Sequence, residues 1–296
     1  MTIKAGLIGS PLKRSLSPRL FRLLSSGPGE RYSYTLLETR AAGLERALTA
    51  IKREGWAGFN VTLPLKEKIL TSLDALSSEA EAIRAVNAVR LRNGKLKGDN
   101  TDAAALRLAL KGAGCRPRGR TCVIWGAGGA ARTAAWVLGS GGAGSVQIRN
   151  RTFSRAAALV KYFSGLFPRT KFSARKFTAA PAGTATVFVN ATPLGMYAPL
   201  AACLKFSGPP GSFYLDLAYT LGETAKAVST RGSIPRKGGR GTSPFLKDRD
   251  GTTIPGLDLL IYQALKSAEL YSGRPIKAAK IVKLKDRLKT RLLSGK

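Results

Sequence analysis

The sequence predicts an α/β protein built from two units, each a largely parallel sheet covered by helices. Three observations carry this expectation. Short apolar runs alternate with amphipathic stretches from the N-terminus onward, the pattern of βα units. A glycine turn, VIWGAGGAAR, joins an apolar strand to an apolar helix in mid-chain. The length of 296 residues is enough for two separate cores.

In chain order, IKAGLIG (3–9) is an apolar run closed by glycine and reads as the first strand. LSPRLFRLLSS (16–26) has helical spacing, with Ser17 as N-cap and Pro18 as the first helical residue. RYSYTLLE is a second strand, AGLERALTAIKREG a helix ended by Gly55, and GFNVT a third strand. NAVRLRNGKLKG (87–98) reads as a hairpin turning at Asn93-Gly94. A second unit begins after GDNTD with the helix 102–114, then the strand, glycine turn and helix of 121–142. SVQIRNRT is the next strand and TFSRAAALVKYFSG the next helix, followed by strand cores in ATVFVNAT (185–192) and SFYLDLAY (212–219). The Gly-, Pro- and Lys/Arg-rich stretch 229–255 has little periodicity and reads as a long mobile loop. GLDLLIYQALKSAELYSG (256–273) is a long helix. Ile281, Leu284, Leu288 and Leu292 mark a helical seam in the last segment.

Composition narrows the chemistry. With 44% hydrophobic and 22% charged residues the chain is globular in type. It holds no apolar run long enough for a membrane span, and the N-terminus lacks a signal-peptide pattern. Three cysteines (Cys115, Cys122, Cys203), outside metal-ligand spacing, point to a reducing, cytoplasmic setting with no disulfide framework and no metal. Histidine is absent, which excludes Ser-His nucleophiles, histidine bases and histidine-ligated metals. Acid–base work near neutral pH therefore falls to Lys, Asp, Glu, Tyr or Cys. The net charge of +32 favours anionic partners, small or polymeric.

The glycine turn supplies G-x-G-x-x-A through Gly126, Gly128 and Ala131. Glycines there let the backbone approach a pyrophosphate at a helix N-terminus. A site for NAD usually places Asp or Glu about 20 residues on, to accept from the ribose hydroxyls. This chain has no acidic residue between Asp102 and Asp216, and reads IRNRTFSR at that place. Arg151 and Arg155, with Thr152, suit a 2′-phosphate, so NADP is expected over NAD.

Nine short motifs fall into one order: GSPLKRSLSP (9–18), NVTLPLK (60–66), AVNAVR (85–90), GDNTDAAAL (98–106), GAGGAAR (126–132), NRTFSRA (150–156), NATPLGM (190–196), DLAYTLGET (216–224) and GLDLLIYQA (256–264). This series resembles the shikimate dehydrogenase family, whose members reduce 3-dehydroshikimate with NADPH in chorismate and aromatic amino-acid biosynthesis. The resemblance implies a substrate-binding α/β domain over 1–101, completed by C-terminal helices 257–296, and a Rossmann-type NADP-binding domain over 102–256. It gives Lys66 and Asp102 as the catalytic pair. Ser15 and Ser17 would hold the substrate carboxylate, Thr62, Asn87 and Gln263 its hydroxyls, and Tyr219 would line its pocket. Gly126, Gly128, Gly129 and Ala130 would meet the cofactor phosphates. Asn150, Arg151, Thr152 and Arg155 would meet its adenosine ribose phosphate, with Met196 and Gly256 near the nicotinamide. The family usually has proline where this chain has Leu221, and the segment between Thr224 and Gly256 is longer and more basic than usual.

Reducing a ketone places negative charge on its oxygen, so a proton donor and a nearby cation are needed there. In a chain without histidine, Lys66 is the natural donor, and Asp102 would orient its ammonium. Two rival readings stay open: a quinate/shikimate dehydrogenase using NAD or NADP, and a catalytically idle relative that binds nucleic acid through its basic surface. The latter has no RNA-recognition aromatic motif, zinc finger or helix-turn-helix signature behind it. Monomer and homodimer are both compatible with the sequence.

Overall fold

The computed structural model describes residues 2–26, 29–177, 183–195, 204, 207–219, 245–247 and 249–294. Met196 and Leu221 lie outside these residues, as does most of the basic segment, 229–244 and 248. The chain divides into two compact units: one runs to Ala105 and resumes over Ile261–Leu292, and the other spans Leu106–Leu260. Among the described residues, no helix is long and apolar enough to cross a membrane.

The first unit holds a six-stranded mixed sheet in the order β2-β1-β3-β5-β6-β4. Its strands are β1 (Thr2–Gly9), β2 (Arg31–Glu38), β3 (Gly58–Val61), β4 (Ala75–Leu76), β5 (Ala88–Arg92) and β6 (Lys95–Asp99). β1 pairs parallel with both β2 and β3, while β3, β5 and β6 run antiparallel in turn. β3 is buried along its whole length, which explains its unbroken GFNV run. The β5–β6 hairpin turns at Asn93 and Gly94, with φ of 52° and 75°, as the Asn-Gly pair requires. Helix α2 (Leu44–Arg53) buries Leu44, Ala47, Leu48 and Ile51, one face at helical spacing. Leu44, Leu48 and Ile51 pack with Ile8, Phe59, Val61, Leu65, Val86 and Val89 into one apolar core.

Helix α1 (Ser17–Ser25) differs by one residue from the sequence reading. Its N-cap is Leu16 and Ser17 is already helical. The Ser17 N–H instead donates to Ser15 Oγ at 3.3 Å. Helix α3 (Ser78–Ile83) is too short to show a period in sequence, and Ser77 caps it by accepting from Ala80 N–H at 3.2 Å.

The second unit opens within helix α4 (Thr101–Gly112) and contains an all-parallel sheet, β12-β11-β10-β7-β8-β9. Its strands are β7 (Thr121–Trp125), β8 (Ser145–Asn150), β9 (Lys171–Lys176), β10 (Val187–Asn190), β11 (Ser212–Asp216) and β12 (Gly251–Ile254). Numbered within the unit, the order is 3-2-1-4-5-6, the doubly wound arrangement of dinucleotide-binding domains. Helices α5 (Gly129–Ser140) and α6 (Phe153–Leu166) follow β7 and β8. Trp125, Phe188, Tyr214 and Phe245 form the aromatic centre of one core cluster. β12 corrects the expectation of a loop over 229–255: Gly251–Ile254 pairs parallel with β11 at the sheet edge. Four residues between Asp250 and Pro255 are too few for a visible alternation, and pairing with β11 supplies what the local sequence lacks.

Helix α7 (Gly256–Ser272) is followed by α8 (Ala278–Ser294). From Ile261 to Leu292 these residues belong to the first unit. Gly58 makes this possible: a Cβ there would sit 2.4 Å from Tyr271 Cδ1, so only glycine lets α7 lie against β3. α8 buries Ile281, Leu288 and Leu292 on its seam, with Leu284 half-buried. Arg291 ties α8 to α1, donating to Ser26 Oγ at 2.7 Å.

Cys115 and Cys122 are buried in the second unit. Burial pushes the Cys122 thiol from 9.0 up to about 12 and Cys115 up to about 11, with Arg120 opposing weakly in both. The folded protein therefore holds these protons after the unfolded chain has lost them. Stability from this source is complete below pH 9 and is lost as pH rises from 9 towards 12. The unfolding free energy from urea titration is expected to fall between pH 9 and pH 11, by up to about 1.4 kcal/mol per pH unit for the Cys122 thiol and less for Cys115, and Cys122→Ala is expected to blunt the fall. A slope unaltered in Cys122→Ala contradicts the assignment.

Candidate active site

Lys66 is placed by backbone on both sides. β3 ends at Val61, and Thr62 N–H donates to Ile8 O at 2.9 Å, holding the turn that follows to β1. Leu65 N–H closes that turn on Thr62 O at 2.9 Å, and its side chain is fully buried. Val86 N–H then donates to Lys66 O at 2.8 Å. A buried leucine before it and a ladder-like bond at its own carbonyl leave Lys66 little freedom except in its side chain.

Asp102 lies in the first turn of α4. Asn100, not Asp102, caps the helix: Ala103 N–H donates to Asn100 Oδ1 at 3.1 Å. Both Asp102 oxygens are thereby left for side chains. Lys66 Nζ donates to Oδ2 at 2.6 Å, and Asn87 Nδ2 donates to Oδ1 at 2.7 Å. The Lys66 and Asp102 side chains are 20% and 26% exposed, so the pair is largely withdrawn from water yet open to a ligand. Charge-assisted bonds of this length fix the ammonium in direction as well as in charge.

Asn87 is itself held firmly. It is buried, its Oδ1 accepts from Thr101 N–H at 2.6 Å, and its backbone joins Val61 N–H and Asp99 O. Asn60, buried on β3, donates to Asn87 O at 3.1 Å and to Ser267 Oγ of α7 at 2.8 Å, and accepts from Tyr34 at 2.9 Å. Gln263 Nε2 also donates to Ser267 Oγ, at 3.1 Å. Tyr271 approaches Ser267 closely enough for the serine to counter part of the burial-driven rise in its pKa. The geometry falls short of a hydrogen bond, and the Tyr271 oxygen is left without one.

The structure thus brings Lys66, Asp102 and Asn87 into direct contact and joins Gln263 to them through Ser267 and Thr101. Ser15 and Ser17 meet each other at the start of α1, and Thr62 sits at the carboxyl end of β3, its methyl against Gly9. Asn60, Thr101 and Ser267 were not singled out in sequence. The first two lie inside the motifs GFNVT and GDNTD. Ser267 stands four residues after Gln263, one helical turn along the same face, which was the available signal.

In the second unit, Gly126 leaves β7 at φ 113°, and a Cβ there would stand 2.7 Å from Ala191 O. Gly128 is the N-cap of α5 with no side-chain cap and no acidic residue in the first turn. The first N–H groups of this helix, at Gly129 and Ala130, have no partners within the helix, and this suits an anionic phosphate. Asn150 ends β8, beside β7, and donates to Thr152 O at 2.9 Å. Thr152 is the N-cap of α6, and Arg151 and Arg155 are exposed beside it. Asn190 and Asp216, at the ends of β10 and β11, are fully buried and bonded at 2.9 Å, a brace the sequence did not reveal. Tyr219 lies half-buried just beyond β11, and Gly256 packs where a Cβ would stand 2.3 Å from Ala218 O.

Known proteins share this sequence pattern and fold. Residues 7–89 match the model of the shikimate dehydrogenase substrate binding domain. Shikimate dehydrogenase (NADP(+)) of Rubrobacter xylanophilus is 33% identical over 275 residues, covering 92% of this chain and 91% of that protein. The crystal structure of shikimate 5-dehydrogenase from Thermus thermophilus in complex with NADP(H) and shikimate is 30% identical, with a TM-score of 0.72 over 97% of this chain and 99% of that one. The ligand-free 5-ketofructose reductase of a Gluconobacter species is 27% identical, with a TM-score of 0.73 over 97% and 99%. One third identical to the Rubrobacter enzyme over nine-tenths of both chains, this chain belongs to the shikimate dehydrogenase family.

Proposed function

We propose that this protein catalyses the reversible, NADP-dependent reduction of 3-dehydroshikimate to shikimate, with the first unit binding substrate and the second binding cofactor. The observation that carries the reading is the 2.6 Å pair of Lys66 and Asp102, braced by Asn87 in a chain that has no histidine. The setting is a reducing cytoplasm, where the step serves aromatic amino-acid biosynthesis.

The residues present fit NADP. The Gly126 turn gives room that a Cβ would fill, and the uncapped start of α5 offers N–H groups to the pyrophosphate. β8 ends in Asn150 without a carboxylate, and Arg151 and Arg155 flank Thr152, as a 2′-phosphate requires. When bound, the reduced cofactor supplies a hydride to the ketone carbon.

On the chain's side, the work is proton delivery and alignment. Lys66 donates a proton from Nζ to the ketone oxygen, and its charge stabilises the alkoxide as it develops. Asp102 holds the ammonium in line and accepts from a substrate hydroxyl beside the reacting carbon. Thr62 and Gln263 bind the ring hydroxyls, while Asn87, buried with its amide committed to Thr101 and Asp102, sets the carboxylate beside them. Ser15 and Ser17 donate to the carboxylate, with Arg and Lys residues of the basic surface drawing the anion in. Tyr219, Met196 and Gly256 keep the roles that the family pattern implies.

A second reading, reduction of a keto-sugar without a carboxylate, has the ketofructose reductase relative behind it. The serine pair at the head of α1 favours the carboxylated substrate, and quinate shares that group. Rates with 3-dehydroshikimate, shikimate, quinate and 5-ketofructose, each with both nicotinamide cofactors, separate these.

Lys66→Ala is expected to lower kcat by about 100- to 10,000-fold while NADPH affinity stays within about twofold of the parent. Equal loss of both contradicts a proton-donor role. Arg151→Ala combined with Arg155→Ala is expected to raise the NADPH KM by at least about tenfold and to leave the NADH KM nearly unchanged. If both cofactors weaken alike, the 2′-phosphate assignment is wrong.

A further inference from the structure

Ser267 is fully buried, on α7, and faces three polar side chains from three other places in the first unit or its own helix. With the nearby Tyr271 hydroxyl outside hydrogen-bond geometry, counting donors and acceptors among the bonded partners sets the directions around it. Ser267 Oγ accepts from Asn60 Nδ2 at 2.8 Å and from Gln263 Nε2 at 3.1 Å. A hydroxyl has two lone pairs and one proton, so both lone pairs are used and its own proton must leave towards a third partner. Thr101 Oγ1, at 3.2 Å, is that partner. Thr101 Oγ1 then also accepts from Asn87 Nδ2 at 3.0 Å, so its own proton goes to Asn87 Oδ1 at 3.2 Å. That oxygen already accepts from Thr101 N–H, which fixes the Asn87 amide with Nδ2 towards Asp102 Oδ1. On the far side Asn60 accepts from Tyr34 and commits both amide protons, to Ser267 and to Asn87 O.

We infer that Ser267 is a positioning residue for the reaction: its hydroxyl is the junction that orients the Gln263 amide and, through Thr101 and Asn87, the Asp102 carboxylate that holds Lys66. The inference rests on the function proposed above. Two consequences separate along two arms. Committing Gln263 Nε2 to Ser267 leaves Gln263 Oε1 to accept from a substrate hydroxyl, an effect on binding. The arm through Thr101 and Asn87 ends with an amide donor on Asp102, an effect on proton delivery. A buried amide or hydroxyl stripped of its partner is costly, so neither Gln263 nor Thr101 keeps its orientation when the junction is removed.

The test is Ser267→Ala, which removes one oxygen without adding bulk, made in the parent and in Gln263→Ala. In the parent background the KM for 3-dehydroshikimate is expected to rise several-fold and kcat to fall, for a loss of roughly tenfold in kcat/KM, with the NADPH KM unchanged. In the Gln263→Ala background the rise in KM should vanish while the fall in kcat persists. Kinetic constants unchanged in both backgrounds, or a KM rise of the same factor in both, overturn the inference. Should the parent itself fail to oxidise NADPH with 3-dehydroshikimate, the proposed function fails, and a crystal structure of Ser267→Ala decides the inference alone. A turned Gln263 amide with a lengthened Asn87–Asp102 bond supports it. Unmoved side chains overturn it.

Discussion

The arrangement depends on one constraint: a lysine side chain must be held beside a carboxylate, partly shielded from water and kept from wandering into solvent. Both residues are only about a quarter exposed or less. An isolated surface ion pair is worth little and wanders. This one does not wander, because Asp102 is bonded at both oxygens and Lys66 is anchored by its own backbone. Asn100 relieves Asp102 of capping α4, and Asn87 takes up the second oxygen. In the proposed reaction the ammonium's remaining protons face the substrate oxygen.

Strand order supplies this constraint. Thr62 follows the carboxyl end of β3, and Asn87 stands immediately before β5, which pairs with β3. Asp102 comes three residues after the end of β6, in the first turn of α4. Neighbouring strands therefore bring three distant sequence segments to one edge of the sheet, and α7 closes over the polar cluster with Ser267. The second unit uses the same device at its own strand ends: the Gly126 turn after β7, Asn150 after β8 and the Asn190–Asp216 brace at β10 and β11. Ligands of open α/β sheets bind at such carboxyl ends. The excess of basic residues, +32 over the whole chain, adds a long-range field that speeds the arrival of anionic ligands and fades with salt.

Much of this was legible in the sequence, and the failures have physical causes. Apolar runs flanked by glycine, such as IKAGLIG and VIWGAGG, announce buried strands, and the Asn93-Gly94 turn is visible because it needs positive φ at both residues. β9, KFSARK, went unseen because as an edge strand it carries polar residues on a half-exposed surface. β12 went unseen because four residues cannot show a period. Lys66, Asp102 and Asn87 were legible through the order of motifs and not through any local property, since a lysine among 49 basic residues carries no signal of its own. Ser267 was illegible for a different reason. A serine on a helix says nothing of what it faces until the sheet beneath it is known.

The most direct test of the account is a crystal structure with shikimate and NADP bound. The account predicts the reacting hydroxyl oxygen of shikimate within about 3 Å of Lys66 Nζ, with Asp102 still bonded to both Lys66 and Asn87. Shikimate bound with that oxygen away from Lys66, or Lys66 and Asp102 turned apart in the complex, would contradict it.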